Sequence, residues 1–198
     1  MSVMDEAPHV EPASRAEWRA WLAANHATSG GVWLVMWKRH AGHPTVTYEA
    51  AVEEALCFGW IDGRMNRLDE DRLREWFSPR RPKGTWARTN KERVERLEAA
   101  GLMTDAGRAA IELAKANGAW HALDDIDALV MPPELEAGLA GREGTREYFD
   151  SRSESSRRTA IAFVTGVKRA DLRTGRVERV VAACVAREPL SRAWQQRD

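Results

Sequence analysis

The spacing of apolar residues along the chain changes period several times, and each change predicts an element. Trp18, Trp21 and Leu22 recur at helical spacing. They follow Ser14-Arg-Ala-Glu17, a capping box in which the hydroxyl and the carboxylate satisfy backbone N–H groups left over at a helix start. This helix ends near Asn25-His26, and Gly30-Gly31 breaks the chain. Val32 to Lys38 then alternates with apolar residues on both faces, Val32, Leu34 and Met36 against Trp33, Val35 and Trp37. A strand apolar on both sides is a covered one, which predicts helices packed over the sheet.

The central stretch runs from Tyr48 to Gly63. Thr47 can cap a helix here, with Glu49 at the positive end of its dipole and Tyr48, Val52, Ala55 and Leu56 on one apolar face. Gly59 suits the left-handed residue past the last turn, and Trp60-Ile61 opens an extended run containing Asp62. Asp62-Gly63 is also a tight-turn signature, so a hairpin turn competes locally. Residues 60–67 and 72–78 read as two strands joined by Asp69-Glu-Asp71. Regular alternation puts Asp62, Arg64 and Asn66 on one face and Ile61 and Met65 on the other.

From Trp86 onward the pattern is helical. Thr89 or Asn90 can cap a helix carrying Val94 and Leu97 and stopping at Gly101. Thr104-Asp105 opens another with Ile111 and Ala114, ending at Gly118. Trp120 to Val130 carries no clear period, although Asp124, Asp125 and Asp127 suit a helix N-terminus, and Pro133 suits a first turn. Ser153 to Val167 and Asp171 to Arg187 read as two further helices, the first with Ala160, Ile161, Val164 and Val167 inward, the second with Val177, Val180, Val181 and Cys184.

These elements predict an α+β protein, with a small antiparallel sheet packed with helices in the N-terminal half and a mostly helical C-terminal half. The expected organisation is a disordered leader over residues 1–13, an α+β unit over 14–85 and a helical unit over 86–198 docked on it. The proline-stiffened basic loop Ser78-Pro-Arg-Arg-Pro-Lys-Gly84 is the natural linker.

Composition refines this picture. At 198 residues the chain can bury roughly 70% of its extended surface and needs no metal or disulfide staple. Its two cysteines, Cys57 and Cys184, form no framework, which fits a reducing cytoplasm. The acidic start lacks the basic and apolar character of a signal peptide, and no apolar run approaches the ~20 residues of a membrane helix. The formal net charge of zero conceals blocks of −4 over residues 1–62, +5 over 63–96, −7 over 97–151 and +6 over 152–198. Such blocks either pair with acidic neighbours across the surface or converge into an anion-binding face.

Among chemical candidates Asp62 leads. Enclosure by Trp60 and Trp86 would raise its pKa, while Arg64 or Arg80 would lower it. It then serves as a general acid or base, as the anchor of a ligand, or as half of a structural ion pair with one of those arginines. Cys57 lies in the last helical turn, where the dipole disfavours a thiolate, so a core role is expected. His40 and His43 lack a third ligand, so no metal is expected. Cofactor-binding loops and nucleophile elbows are absent from the sequence. Arg80, Arg81, Lys83, Arg88 and Lys91 interleave with Trp76, Phe77 and Trp86, a composition suited to stacking on nucleotides, but zero net charge argues against broad nucleic-acid affinity. Lys168, Arg169, Arg173 and Arg176 form either a solvated face or one wall of an anionic pocket.

Gly31-Val-Trp-Leu34, Thr47-Tyr48, the run Ala55-Leu-Cys-Phe-Gly-Trp-Ile-Asp62, Ser78-Pro-Arg80, Trp86, Asn90 and Gly101 fall in one order. Together they resemble the YdeI/OmpD-associated, or bacteriocin-protection, family over about residues 15–185. Near the C-terminus that family shows Ala-Lys, then Thr-Arg and a further Arg. Here Val167-Lys168, Leu172-Arg173 and Arg176 occupy those positions, so the Ala and Thr are replaced. The resemblance implies a small soluble bacterial protein tied to resistance against antimicrobial peptides or stress, and it brings no agreed reaction. The leading expectation is therefore a cytosolic binder of a small or peptide ligand in a cleft containing Trp60, Asp62, Arg64, Arg80, Trp86 and Asn90, with Lys168 contributing. An enzyme using Asp62 on an anionic substrate, and a nucleic-acid or protein-interaction module using the basic blocks, are the alternatives. Nothing in the sequence sets an oligomeric state.

Overall fold

The computed structural model describes Met4 and residues 7–195, and the chain divides into two compact units, Met1–Ala122 and Leu123–Asp198. The expected leader over residues 1–13 lies partly outside the described residues; within it, β1 (His9–Val10) is a strand.

In the first unit β1 is followed by α1 (Arg15–Asn25), β2 (Val32–Trp37), a 3-10 turn at Arg39–Ala41, α2 (Tyr48–Cys57), β3 (Trp60–Arg67), β4 (Arg72–Pro79), α3 (Arg88–Ala99) and α4 (Asp105–Ala116). The sheet order is β1-β2-β4-β3. The β2–β4 and β3–β4 pairs are antiparallel, as expected, and β1 adds a parallel pair on β2, so the sheet is mixed.

One face of this sheet, bearing Val32, Leu34, Met36, Phe77 and Trp60, packs into a single core with Trp18 and Leu22 of α1, Val52 and Leu56 of α2, and Val94 and Leu97 of α3. The other face departs from the expected helical cover. Trp33 lies edge-on to Trp76, His9 stacks on Trp33, and Arg74 and Arg72 lie over Trp33 and Trp37 at 4.4 and 5.2 Å. Stacked rings and guanidinium planes bury apolar surface there through their own bulk.

Local signals act as expected at several helix starts. The Ser14 hydroxyl accepts from Glu17 N, and the Glu17 carboxylate accepts from Ala13 N. Thr47 and Thr104 accept from Ala50 N and Gly107 N. The expected caps Thr89 and Asn90 lie inside α3, which begins after Ala87 without a side-chain cap. Gly59 has φ +73°, the left-handed conformation that lets α2 turn directly into β3.

The strand that follows is irregular. Asp62 pairs with Phe77 and Met65 with Glu75, so three residues of β3 advance against two of β4. This bulge at Gly63-Arg64 shifts the side-chain alternation by one. Asp62 and Met65 therefore share the core-side face, with Glu75 and Phe77, while Asn66 joins Arg74 on the other. That corrects the regular alternation expected from the sequence.

The second unit is wholly helical among the described residues: α5 (Asp124–Asp127), α6 (Pro133–Ala140), α7 (Thr145–Asp150), α8 (Glu154–Thr165), α9 (Ala170–Val185) and α10 (Arg192–Gln195). Its core gathers Leu135, Leu139, Phe149, Ile161, Val164, Val180 and Leu190. Ser153 caps α8 and Pro133 starts α6, as expected, whereas α7 is too short to show a period in the sequence. No helix among the described residues is long and apolar enough to cross a membrane.

Candidate functional site

A cluster of polar groups surrounds Asp62, the residue the sequence singles out. Asp62 is half-buried on β3, and its Oδ2 accepts a hydrogen bond of 3.0 Å from the Tyr48 hydroxyl at the start of α2. Helical periodicity assigns Tyr48 to the apolar face of α2, yet its ring remains 43% exposed and its hydroxyl turns to Asp62. Burial, then the Asp62 charge, push the Tyr48 phenol up to about 12, so it stays a donor at any physiological pH.

A second carboxyl lies on the same face, because Asp62 pairs with Phe77 and Glu75 stands two residues from Phe77 along β4. Glu75 of β4 is only 2% exposed, and its Oε2 is buried with no hydrogen-bond partner among the described residues. Burial and the neighbouring Asp62 charge push Glu75 up to about 7. A carboxyl without donors in a low-dielectric setting holds its proton because ionisation there is poorly solvated.

Arg80 lies beyond the end of β4, its backbone N–H bonded to Gly59 O. Its guanidinium stacks on the buried Trp86 ring at 3.6 Å and donates through Nη2 to Thr85 O, while Nε and Nη1 are buried without acceptors. Burial pulls Arg80 down to about 10, opposed by the Asp62 charge, so it remains cationic at neutral pH. On the α3 side, Arg93 bonds both Glu49 oxygens, at 2.9 and 2.6 Å, and Asn90 Oδ1 at 2.8 Å.

The structure thus brings Asp62 and Arg80 into one electrostatic neighbourhood, with Trp86 beneath Arg80 and Asn90 holding Arg93, whose charge also reaches Asp62. The ion pair expected between Asp62 and Arg64 or Arg80 does not form among the described residues; the phenol takes its place. Trp60 is not brought to the cluster. It is buried, with Nε1 bonded to His26 O and its ring edge-on to Trp21. Arg64 is exposed on the bulge, and Lys168 is exposed just before α9 in the second unit.

Tyr48 and Glu75 are the site residues that sequence reasoning missed. A glutamate among Leu73, Trp76 and Phe77 was the available signal, since a carboxylate inside a buried strand is costly unless it has a purpose or a partner.

Cys57 is buried in the core and its thiol is pushed up by burial, then by the Glu54 charge, as expected of an unreactive cysteine. His40 pairs with Asp71 at 3.1 Å. Among the described residues no three His, Cys, Asp or Glu side chains converge as metal ligands. A hollow of about 360 Å³ in the second unit, lined by Gly138, Arg142, Val177, Glu178, Val181 and Val185, shares no residue with the Asp62 cluster.

The first unit is therefore an α+β scaffold whose sheet carries a buried and a half-buried carboxyl near a stacked arginine. Residues 10–110 match the family described as "Domain of unknown function (DUF8412)", and the chain belongs to that family. Residues 128–186 match the family described as "Bacteriocin-protection, YdeI or OmpD-Associated", which bears out the resemblance seen in the sequence. Val167-Lys168, Leu172-Arg173 and Arg176 fall inside this second match, whereas the Cys57–Asp62 run falls inside the first. Comparison with curated proteins and with solved structures returns no match.

Proposed function

We propose that this chain is a cytosolic bacteriocin-protection and stress-resistance protein that acts by binding, and that the cluster of Tyr48, Asp62, Glu75 and Arg80 holds a small or peptide ligand. The protection role is supported by the family match over residues 128–186. The cytosolic setting is supported by two buried free cysteines.

One observation carries the binding reading: around the half-exposed Asp62, Glu75 Oε2 and Arg80 Nε and Nη1 are buried with no hydrogen-bond partner among the described residues. Leaving a buried polar group unpaired costs about 1–3 kcal/mol, and although single arginine nitrogens are left so elsewhere, Glu75 is the one carboxyl among the described residues in that state, so a ligand donor has a place there.

Thermal-shift screening of metabolites, nucleotides and antimicrobial peptides tests the reading, with tryptophan fluorescence to follow hits, since Trp86 lies under Arg80. A ligand that stabilises the wild type and loses its effect in Asp62→Asn supports it. Hits that bind Asp62→Asn as well as the wild type refute it.

A second reading, acid–base catalysis, is favoured by the neutral-range proton on Glu75 beside Asp62. Glu75, rather than Asp62, is then the group that exchanges the proton.

A further inference from the structure

Resting on the ligand site proposed above, we infer the class of its ligand: the carboxyl pair Asp62 and Glu75 receives an organic cation, an ammonium or guanidinium group, while Arg80 takes a hydrogen-bond acceptor on the same molecule. The argument is one of charge and vacant hydrogen bonds. Around Glu75 are Asp62 from β3 and Tyr48 from α2, with Met65 of β3 and Leu34 of β2 opposite it in the two ladders. None of these brings a positive charge.

Neither nearby cation bonds a carboxyl of the pair among the described residues, although the Arg80 and Arg93 charges reach Asp62. Arg93 is held by Glu49 and Asn90, and Arg80 by Trp86 and Thr85 O. Asp62 consequently accepts from a neutral phenol, and Glu75 Oε2 accepts from nothing. Two carboxyls on one sheet face, diagonal across neighbouring strands, lie within reach of one multiply donating group. An ammonium brings three N–H donors and a guanidinium five.

A divalent metal fits less well. Calcium takes six to eight oxygen ligands, and no third acidic, histidine or cysteine side chain joins the pair among the described residues.

The proton balance follows from the burial of Glu75. In the free protein its carboxyl, with a pKa of about 7, is mostly protonated at pH 6 and mostly ionised at pH 8. When the cation seats, the Glu75 O–H bond breaks, the proton leaves to solvent, and the resulting carboxylate accepts an N–H from the ligand. One positive charge enters and one leaves, so the buried site keeps its net charge. Tyr48 is 43% exposed, and its hydroxyl, displaced as the donor to Asp62, can turn to accept from the cation.

The test titrates the full chain with N-acetyl-lysine methylamide and N-acetyl-arginine methylamide, using N-acetyl-norleucine methylamide as the uncharged control. Tryptophan fluorescence and calorimetry are read at pH 6 and pH 8. At least one cation is expected to bind about tenfold more tightly at pH 8 than at pH 6, releasing a proton, because a group with pKa about 7 is mostly protonated at the lower pH. Glu75→Gln should flatten that dependence to less than about twofold, and Asp62→Asn should weaken binding by tenfold or more. Melting curves confirm that each variant is folded, and Asp62→Asn, on a half-exposed edge position, keeps the test open should Glu75→Gln not fold.

Equal binding of the norleucine control, no binding by either cation, or a pH dependence that survives in Glu75→Gln overturns the inference. If neutral or anionic screening hits bind and are lost in Asp62→Asn, only the cation assignment fails and the ligand site stands. If no hit depends on Asp62, both fail.

Discussion

Replacing Glu75 by glutamine should stabilise the first unit at alkaline pH and leave it nearly unchanged in acid. Glu75 is 2% exposed, and its pKa rises from the ordinary 4.5 to about 7 on folding, through burial first and the Asp62 charge second. An acid whose folded pKa is raised binds its proton more tightly when native than when unfolded. The associated stability is complete below pH 4.5 and is lost as the pH climbs to about 7. A change of about 2.5 pKa units at 1.36 kcal/mol each corresponds to a loss of about 3 kcal/mol by pH 8. Glutamine keeps the shape and a donor but has no proton to lose, so the variant escapes this loss.

The assay is urea unfolding of wild type and Glu75→Gln at pH 5, 6, 7 and 8, read by tryptophan emission. Eight of the nine tryptophans lie in residues 1–122, so this signal reports the unit that contains Glu75. The difference between the two proteins should grow by about 2 kcal/mol or more between pH 5 and pH 8 and level off above pH 7. Because other titrations are common to both chains, they cancel in the difference. A gap that does not change with pH, or a variant less stable than wild type at pH 8, would refute the assignment of a buried, proton-holding Glu75.

Three further outcomes check other parts of the structure. Glu54, 1% exposed, is held by Arg15 at 2.5 Å and Arg19 at 2.6 Å; since Arg15 keeps Glu53 and Arg19 keeps Leu102 O, Glu54→Ala should cost about 1–2 kcal/mol in urea unfolding, from the lost charge-assisted hydrogen bonds. A Cβ at Gly107 would stand 2.3 Å from Cys57 O, where α4 begins against the end of α2; Gly107→Ala should therefore destabilise by about 1–3 kcal/mol or more, visible as a lower Tm. Cys57 and Cys184 are both buried, with the Cys184 thiol pushed up to about 11, so a thiol reagent at pH 8 should label neither until denaturant unfolds the chain.

The sequence by itself determined what short-range chemistry controls. Ser14, Thr47, Thr104 and Ser153 each accept from a backbone N–H in the first turn, Gly59 takes the left-handed conformation, and β3 and β4 start where their apolar runs start. Caps, propensities and periods act over a few residues, so they can be read without knowing what packs where. The placement of Asp62 was legible for the same reason, as a carboxylate at a glycine-stopped helix-to-strand junction.

Tertiary structure decided which groups Asp62 meets. Only the pairing of Asp62 with Phe77 reveals that Glu75, thirteen positions downstream, lies on the same face, and the extra residue at Gly63-Arg64 sets Met65 rather than Arg64 opposite it. Tyr48 keeps helical spacing with the core yet leaves it, because a phenol beside an unpaired carboxylate gains a hydrogen bond that burial would forfeit. Trp60, two positions before Asp62 in sequence, lies in the core, where its indole N–H finds the His26 carbonyl. Register, bulges and the choice of hydrogen-bond partner depend on atoms brought together across the chain, and no local pattern encodes them.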